Sequence, residues 1–157
     1  MEIEHREARK APTDLWERIR SELSWQDIDN KQVDKAVDLY LSGPDGLPDI
    51  SERGSLYLYY IVEEVQKRDM PMEIALVPLI ESSLNPFARS TSNAAGLWQI
   101  TPETGANLGL ERTAWFDGRR SVHDSTEVAL DYLERLHGEF DDDWLLALAA
   151  YNAGEGR

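Results

Sequence analysis

The sequence predicts a single all-α domain of about six or seven short helices. Apolar residues recur at spacings of three and four along most of the chain, which is typical of one buried helix face. No run of alternating apolar and polar residues is long enough to indicate a strand. Capping residues and prolines also stand where helices would begin and end, and they predict the following elements in order.

The N-terminal part of the chain predicts three amphipathic helices. Asp14 and Glu17 form a capping-box pattern. The first helix then has an apolar face of Leu15, Ile19 and Leu23. A second helix ends at the Gly- and Pro-containing loop 42–48 and has a face of Val33, Val37, Tyr40 and Leu41. A third helix is expected from about Glu52 to Lys67.

The segment from Met72 to Ser83 is apolar on almost every side and predicts a largely buried helix. Pro78 should kink this helix or leave one carbonyl group unpaired, because proline has no N–H. Asn85-Pro86 should end it, since a residue before proline avoids the helical conformation.

Three further helices are predicted by the residues that would cap their N-termini. Thr101-Pro102 suits the N-cap and first position of a short helix. Asp124 with Glu127 predicts a helix whose apolar side chains are Val128, Tyr132, Leu133 and Leu136. Asp143 predicts the start of a last helix, from Trp144 to about Asn152.

Residues 1–12 are predicted to form an extended or disordered arm, and residues 13–157 the folded domain. The first ten residues mix charges and have no apolar centre, so they do not form a signal peptide. No apolar stretch is long enough to span a bilayer. The sequence has no cysteine, which excludes disulfides, thiolate metal sites and a lipid-modified cysteine within it.

The chain is acidic, with a formal net charge of -14 at pH 7. Nucleic acid is excluded as a partner, because phosphates require basic surfaces. An acidic polymer would also be repelled unless the binding cleft is locally neutral.

Two segments of this acidic chain contain no acid at all. The chain has 30 Asp and Glu residues, yet none lies in residues 82–102 or 144–154. These acid-free segments are instead rich in uncharged hydrogen-bonding and aromatic groups of the kind that bind sugars. Glu81 stands directly before the first of them.

The position of Glu81 favours a carboxyl group that keeps its proton. The apolar neighbours Leu79 and Ile80 should desolvate it, and the last turn of a helix presents the negative end of the dipole. Cleavage of a glycosidic bond requires such an acid, because the leaving oxygen must be protonated. Ordinary glycosidases use a second carboxylate, about 5–9.5 Å from the first. The acid-free segments offer none, which favours a reaction with one carboxylate, although a distant Asp or Glu can still fold into the site.

Plainer interpretations exist for each of these residues. A glutamate at a helix end is usually solvated or ion-paired, and loop serines and asparagines usually serve the loop. Trp98 and Trp144 lie on apolar segments, where tryptophan is more often part of the core. Composition alone therefore suggests a carbohydrate enzyme without establishing one.

Three motifs together resemble the family 1 lytic transglycosylases, whose fold is similar to goose-type lysozyme. They are Glu81-Ser82-Ser83-Leu84-Asn85-Pro86, Ala95-Gly96-Leu97-Trp98-Gln99-Ile100-Thr101-Pro102 and Ala149-Ala150-Tyr151-Asn152-Ala153-Gly154. Trp98 and the final Glu155-Gly156-Arg157 are similar to the membrane-bound lytic transglycosylase D type. The resemblance runs from about Asp14 to the last residue. It implies a lysozyme-like all-α domain with a cleft.

The resemblance implies that Glu81 is the single catalytic carboxylate. It would protonate the oxygen between N-acetylmuramic acid and N-acetylglucosamine, then accept the proton of the muramoyl 6-hydroxyl as a 1,6-anhydro ring closes. The same resemblance implies that the substrate-binding residues are Ser90, Trp98, Gln99, Tyr151 and Asn152. No metal or cofactor is expected.

The resemblance also implies the setting of the protein. Its partner would be the glycan strands of peptidoglycan in the bacterial periplasm or cell envelope, including the outer membrane. Relatives continue beyond the third motif, often with LysM modules, so the natural protein is expected to be longer and to contact membranes only through segments outside this sequence. Two alternatives stay open: a hydrolase of lysozyme or chitinase type, and a non-catalytic peptidoglycan-binding module.

Overall fold

The computed structural model describes residues 15–24 and 52–153, and within them the fold is all-α, as predicted. The α-helices are α1 (Leu15–Glu22), α2 (Glu52–Lys67), α3 (Val77–Ser82), α4 (Pro102–Asn107), α5 (Val122–Glu139) and α6 (Trp144–Ala153). Two short 3-10 helices lie at Met72–Leu76 and Gly118–Arg120. The described part of the chain contains no strand, only isolated bridges such as Arg89 with Ala95.

The core lies between α2, the 3-10 helix Met72–Leu76 and α5. Its fully buried side chains include Leu58, Ile61, Val65, Ile74, Leu130 and Leu133. Trp98 joins this core from the loop before α4, with no exposed surface. The cleft described below is therefore built on a packed base.

Helix α1 belongs to the same core although it is distant in sequence. Its Ile19 is 2% exposed and packs in the main cluster. Arg18 pairs with Glu63 of α2 at 2.5 Å, and the Ser24 amide donates to Glu73 at 2.7 Å. These contacts make α1 an integral part of the domain.

The segment Met72–Ser83 differs from the single kinked helix that was predicted. It begins as a 3-10 helix and becomes α3 at Val77, so Pro78 stands in the first turn of α3. A first turn needs no N–H from proline, and the missing donor therefore costs nothing there. Helix α3 ends at Ser82, before Asn85-Pro86, because Ser83 adopts a left-handed conformation with φ 50°.

The capping predictions have mixed outcomes. Thr101 caps α4 by accepting from the Thr104 amide, and Asp143 accepts from the amides of Leu145 and Leu146, as expected. The predicted cap at Asp124 is wrong, because Ser121 caps α5 and its hydroxyl accepts from the Asp124 amide.

Several predictions lie outside the described residues. They concern the N-terminal arm, Asp14, the helix with Val33 and Val37, the loop 42–48, and the chain from Gly154. No described helix has the length and hydropathy needed to cross a bilayer.

Candidate active site

A cleft of about 660 Å³ opens between the end of α3, the loop before α4, and the last turns of α6. It brings together four of the predicted binding residues and the predicted acid. Its lining comprises Glu81, Ser90, Ser92, Ala94, Gln99, Ile100, Thr101, Pro102, Glu103, Thr104, Tyr132, Tyr151, Asn152 and Ala153. The two acid-free segments thus meet around Glu81.

Glu81 lies in the last turn of α3, and its side chain opens onto the cleft. The surrounding protein still limits its contact with water, and this burial raises the pKa of the carboxyl, as predicted. Ile80 is not the source of the desolvation, because its side chain is 60% exposed. No described side chain pairs with the Glu81 carboxyl, and Arg89, the nearest cation in sequence, donates to Asn93 instead.

Ser82 joins the helix that carries Glu81 to the facing loop. Its hydroxyl lies 2.9 Å from the carbonyl oxygen of Pro78 and 2.8 Å from that of Leu97, and it can donate to either. Ser82 can therefore connect the helix that carries Glu81 to the cleft wall by a hydrogen bond.

The cleft wall is the loop 88–100, which folds back on itself through short-range hydrogen bonds. Gln99 adopts a left-handed conformation with φ 50°. Its side-chain amide nitrogen, Nε2, donates to the carbonyl oxygens of Ala88 and Gly96 at 3.2 and 2.8 Å. The Ser90 hydroxyl accepts from the Ala94 amide at 3.1 Å and lies 3.0 Å from the Ser92 hydroxyl. Both predicted residues line the cleft while they stabilise its wall.

Tyr151 connects α6 to this wall. Its hydroxyl donates to the carbonyl oxygen of Trp98 at 2.8 Å, so its proton is not directed at Glu81. Burial, the nearby Glu81 and Tyr132 all raise the pKa of Tyr151, which stays a neutral phenol. Asn152 lies beside it on α6, exposed and lining the cleft.

Trp98 differs from its prediction as a substrate-binding residue. Its side chain has no exposed surface, and the indole nitrogen donates to the Thr126 hydroxyl at 3.0 Å inside the core. An apolar ring with one donor is satisfied there, and the Trp98 side chain is not among those that line the cleft. Trp98 contributes to the site through its carbonyl oxygen, which holds Tyr151.

Sequence reasoning missed Glu103, a second carboxylate that lines the cleft. It stands one residue beyond the acid-free segment, in the first turn of α4. The predicted N-cap at Thr101 could have indicated this position of Glu103. A helix that begins at the cleft wall places the residues of its first turn beside the cleft. The cleft was expected to be locally neutral, and Glu103 shows that this expectation is wrong.

Sequence reasoning also missed Arg119, which does not line the cleft but stabilises its wall. Its side chain donates to the carbonyl oxygens of Asn93 and Ile100 at 2.7 and 3.0 Å. The same guanidinium pairs with Asp117 at 2.8 Å, and its hydrogen bonds hold the pKa of that carboxyl below its usual range. No local sequence pattern marks this contact, since Arg119 lies 19 and 26 residues from its two carbonyl partners.

No group of three or more His, Asp or Glu side chains in residues 15–24 and 52–153 is arranged to hold a metal ion.

Residues 59–157 match the family described as Transglycosylase SLT domain. The chain is 46% identical over 144 residues to membrane-bound lytic murein transglycosylase D of Escherichia coli K12, covering 92% of this chain and 32% of that relative. It is 52% identical over 107 residues to a putative tributyltin chloride resistance protein of Alteromonas sp., covering 68% of this chain and 52% of that one. The chain thus spans about a third of the transglycosylase D that it matches.

A solved structure shares the fold. It is an inactive mutant of the lytic transglycosylase Slt from Pseudomonas aeruginosa, with a TM-score of 0.52 and 26% sequence identity. The match covers 77% of this chain and 20% of that one.

Proposed function

This chain belongs to the transglycosylase SLT domain family, and from that premise we propose that it is a peptidoglycan lytic transglycosylase. It cleaves the β-1,4 bond between N-acetylmuramic acid and N-acetylglucosamine and leaves a 1,6-anhydro-muramoyl end. The observation that carries the proposal is Glu81, a carboxyl with a raised pKa and no described counter-ion, facing a cleft whose other lining residues are uncharged apart from Glu103.

Glu81 performs both proton transfers. The protonated carboxyl first gives its proton to the glycosidic oxygen as the bond from that oxygen to the muramoyl C1 breaks. The muramoyl 6-hydroxyl oxygen then attacks C1, and the Glu81 carboxylate takes the hydroxyl proton. Glu81 is thereby returned to its acid form, and no water is consumed. A raised pKa suits this cycle, because the first step needs the proton in place.

The other lining residues hold the sugar and the acid in position. Ser90, Gln99 and Asn152 offer hydroxyl and amide groups of the kind that hydrogen-bond to sugar hydroxyl and acetamido groups. Tyr151 acts as a positioning residue, because its hydrogen bond joins α6 to the wall that faces Glu81.

Hydrolysis is the second candidate, and Glu103 is the observation that favours it. A second carboxylate on the cleft could act as a base toward water, as in inverting glycosidases. A Glu103→Gln variant separates the candidates by its products. Transglycosylation predicts that the products keep their anhydro ends, whereas a hydrolase would lose its water-derived products with this base.

The proposal is tested by Glu81→Gln, measured as the release of muropeptides from purified sacculi. Glutamine keeps the shape but cannot act as an acid, so turnover should fall by about 10²–10⁴-fold or more. Glu17→Gln, an equal charge change on α1 away from the cleft, is the control and should release muropeptides at the wild-type rate. Activity of Glu81→Gln within about tenfold of wild type, with the same circular-dichroism melt, would refute the assignment.

The setting follows from the same proposal. The substrate is peptidoglycan, so the protein acts in the bacterial cell envelope, and we place it in the periplasm. We propose that any contact with a membrane, and any LysM module, belongs to segments outside this sequence rather than to this domain.

A further inference from the structure

The ionisable carboxyl groups that line the cleft are not matched by any basic residue in its lining. Of the residues that line it, Glu81 and Glu103 are acids, and none is Lys, Arg or His. Glu81 is the acid that the proposed proton transfers use, so Glu103 is the carboxyl on the cleft wall that has no role in them. A cleft with one sign of charge attracts groups of the opposite sign and repels like ones.

Glu103 is available for a ligand. Its side chain is exposed, and it makes no hydrogen bond or ion pair within the described residues. The start of α4 does not need it, because the Thr101 hydroxyl caps the helix: it accepts from the Thr104 amide and donates to the Thr104 hydroxyl. The helix dipole favours an acid in the first turn of any helix. Glu17 occupies the same position in α1 but does not line the cleft, so it has the same dipole interaction without access to a ligand there.

We propose that Glu103 gives the cleft a preference for glycan strands that carry a free primary ammonium group near the bond that is cut. This inference rests on the proposed function and names a feature of its substrate. Two parts of peptidoglycan can supply such a group: a glucosamine unit without its acetyl group, and the side-chain amine of a diamino acid in the stem peptide. Both offer a compact cation with three donors to one carboxylate.

The test compares one substrate in two forms. Soluble peptidoglycan fragments are assayed as isolated and after their free amines have been capped with acetic anhydride. For the wild-type chain, kcat/KM should be about two- to fivefold higher on the uncapped form, the size expected for an exposed ion pair. The ratio should decrease at high salt, because exposed charges are screened.

Two variants and a control assign the ratio to Glu103. Glu103→Gln should bring the ratio to about one, and Glu103→Lys should bring it below one, since an ammonium would then meet a like charge. Glu17→Gln makes the same charge change in the first turn of α1 and should keep the wild-type ratio. Because each variant is compared with itself on two substrates, a loss of folded protein does not alter the ratio.

Two substrate preparations distinguish the sources of the amine. Peptide-free strands that are partly deacetylated test the glucosamine amine, and fully acetylated strands with stem peptides test the diamino acid. A preference in either preparation that disappears in Glu103→Gln supports the proposal. A wild-type ratio of about one in both, or a ratio that Glu103→Gln retains, would overturn it while leaving the proposed function intact. If wild type releases no anhydro products from any preparation, the proposed function fails and this inference fails with it.

Discussion

Glu81 combines partial desolvation with the absence of a described counter-charge, and that combination decides its chemistry. Other acids in the described residues have a cationic partner, as Asp131 and Glu127 have in Arg68. Glu81 instead loses part of its hydration to the surrounding protein and gains no compensating cation from the described residues. A carboxyl in this environment holds its proton to higher pH than an ordinary glutamate.

The pH dependence of activity should follow from this shift. Since Glu81 must be protonated for the first step, kcat/KM should fall as pH rises through its raised pKa. A pH–rate profile on soluble glycan fragments, supported by carbon-13 titration of the Glu81 carboxyl, measures this. A Glu81 pKa at or below the ordinary value of about 4.3 would contradict the account.

The same shift predicts a change in stability. A carboxyl whose folded pKa is raised binds more protons in the folded than in the unfolded state, so its contribution becomes less favourable as pH rises from the unfolded to the folded pKa. Glu81→Gln should therefore melt at or slightly above the wild-type temperature at neutral pH, and this difference should shrink in acid. A lower melting temperature at neutral pH would instead mean that Glu81 has a stabilising partner.

Tyr151→Phe tests the contact between α6 and the cleft wall. The variant removes the 2.8 Å hydrogen bond to the Trp98 carbonyl and should lower stability by about 1–2 kcal/mol. Turnover should fall about five- to thirtyfold, because the wall and Glu81 no longer hold their relative position. Tyr59→Phe, an exposed position on α2, is the matched control. Full turnover in Tyr151→Phe would show that this contact does not position the acid.

At the scale of elements, the wall 88–100 depends on close backbone contacts. Gly96 has φ +83°, and a Cβ added there would lie 1.8 Å from the carbonyl oxygen of Arg119. The Arg119 side chain meanwhile holds the loop at Asn93 and Ile100. The wall thus keeps its shape through contacts with residues that follow α4.

Gly96→Ala should therefore destabilise the fold by about 2–4 kcal/mol, from left-handed backbone strain and the steric clash together. Urea unfolding measures the change. Gly138→Ala is the control, because its added methyl group meets nothing within 4 Å and lies in α5, where alanine is expected to stabilise the helix by about 0.5–1 kcal/mol. Equal stability of the two variants would show that the wall tolerates movement at Gly96.

The sequence predicted the elements better than their details. Periodicity alone located α2 at Glu52–Lys67, and local caps located the starts of α4 and α6. The division of Met72–Ser83 was not predicted, because the 3-10 helix depends on how Ile74 and Ala75 pack into the core. Contacts such as that of Arg119 with Asn93 join distant positions, and no local pattern contains them.

In the candidate site, too, the sequence predicted features of single segments but not those that depend on tertiary packing. The pattern around Glu81 indicated an acid with a raised pKa, although its exposed neighbour Ile80 is not the source of the desolvation. The pattern could not assign Trp98 to the core rather than the cleft, since an apolar segment suits either. It also missed Glu103, whose place on the cleft depends on the direction in which α4 leaves the wall.

At the scale of the whole molecule, the domain extends beyond the residues that match the family. The match begins at residue 59, whereas Ile19 of α1 is already part of the main core. Helix α1 is thus packed into the same core as the matched residues.

The fate of water at the cut bond tests the central claim most directly. Sacculi are digested by the wild-type chain in water enriched in heavy oxygen, and the released muropeptides are measured by mass spectrometry. If Glu81 performs both proton transfers, every new muramoyl end has the anhydro mass, one water lighter than a reducing end, and carries no heavy oxygen. New reducing ends that contain the heavy isotope would show that water attacks C1, and they would contradict the account.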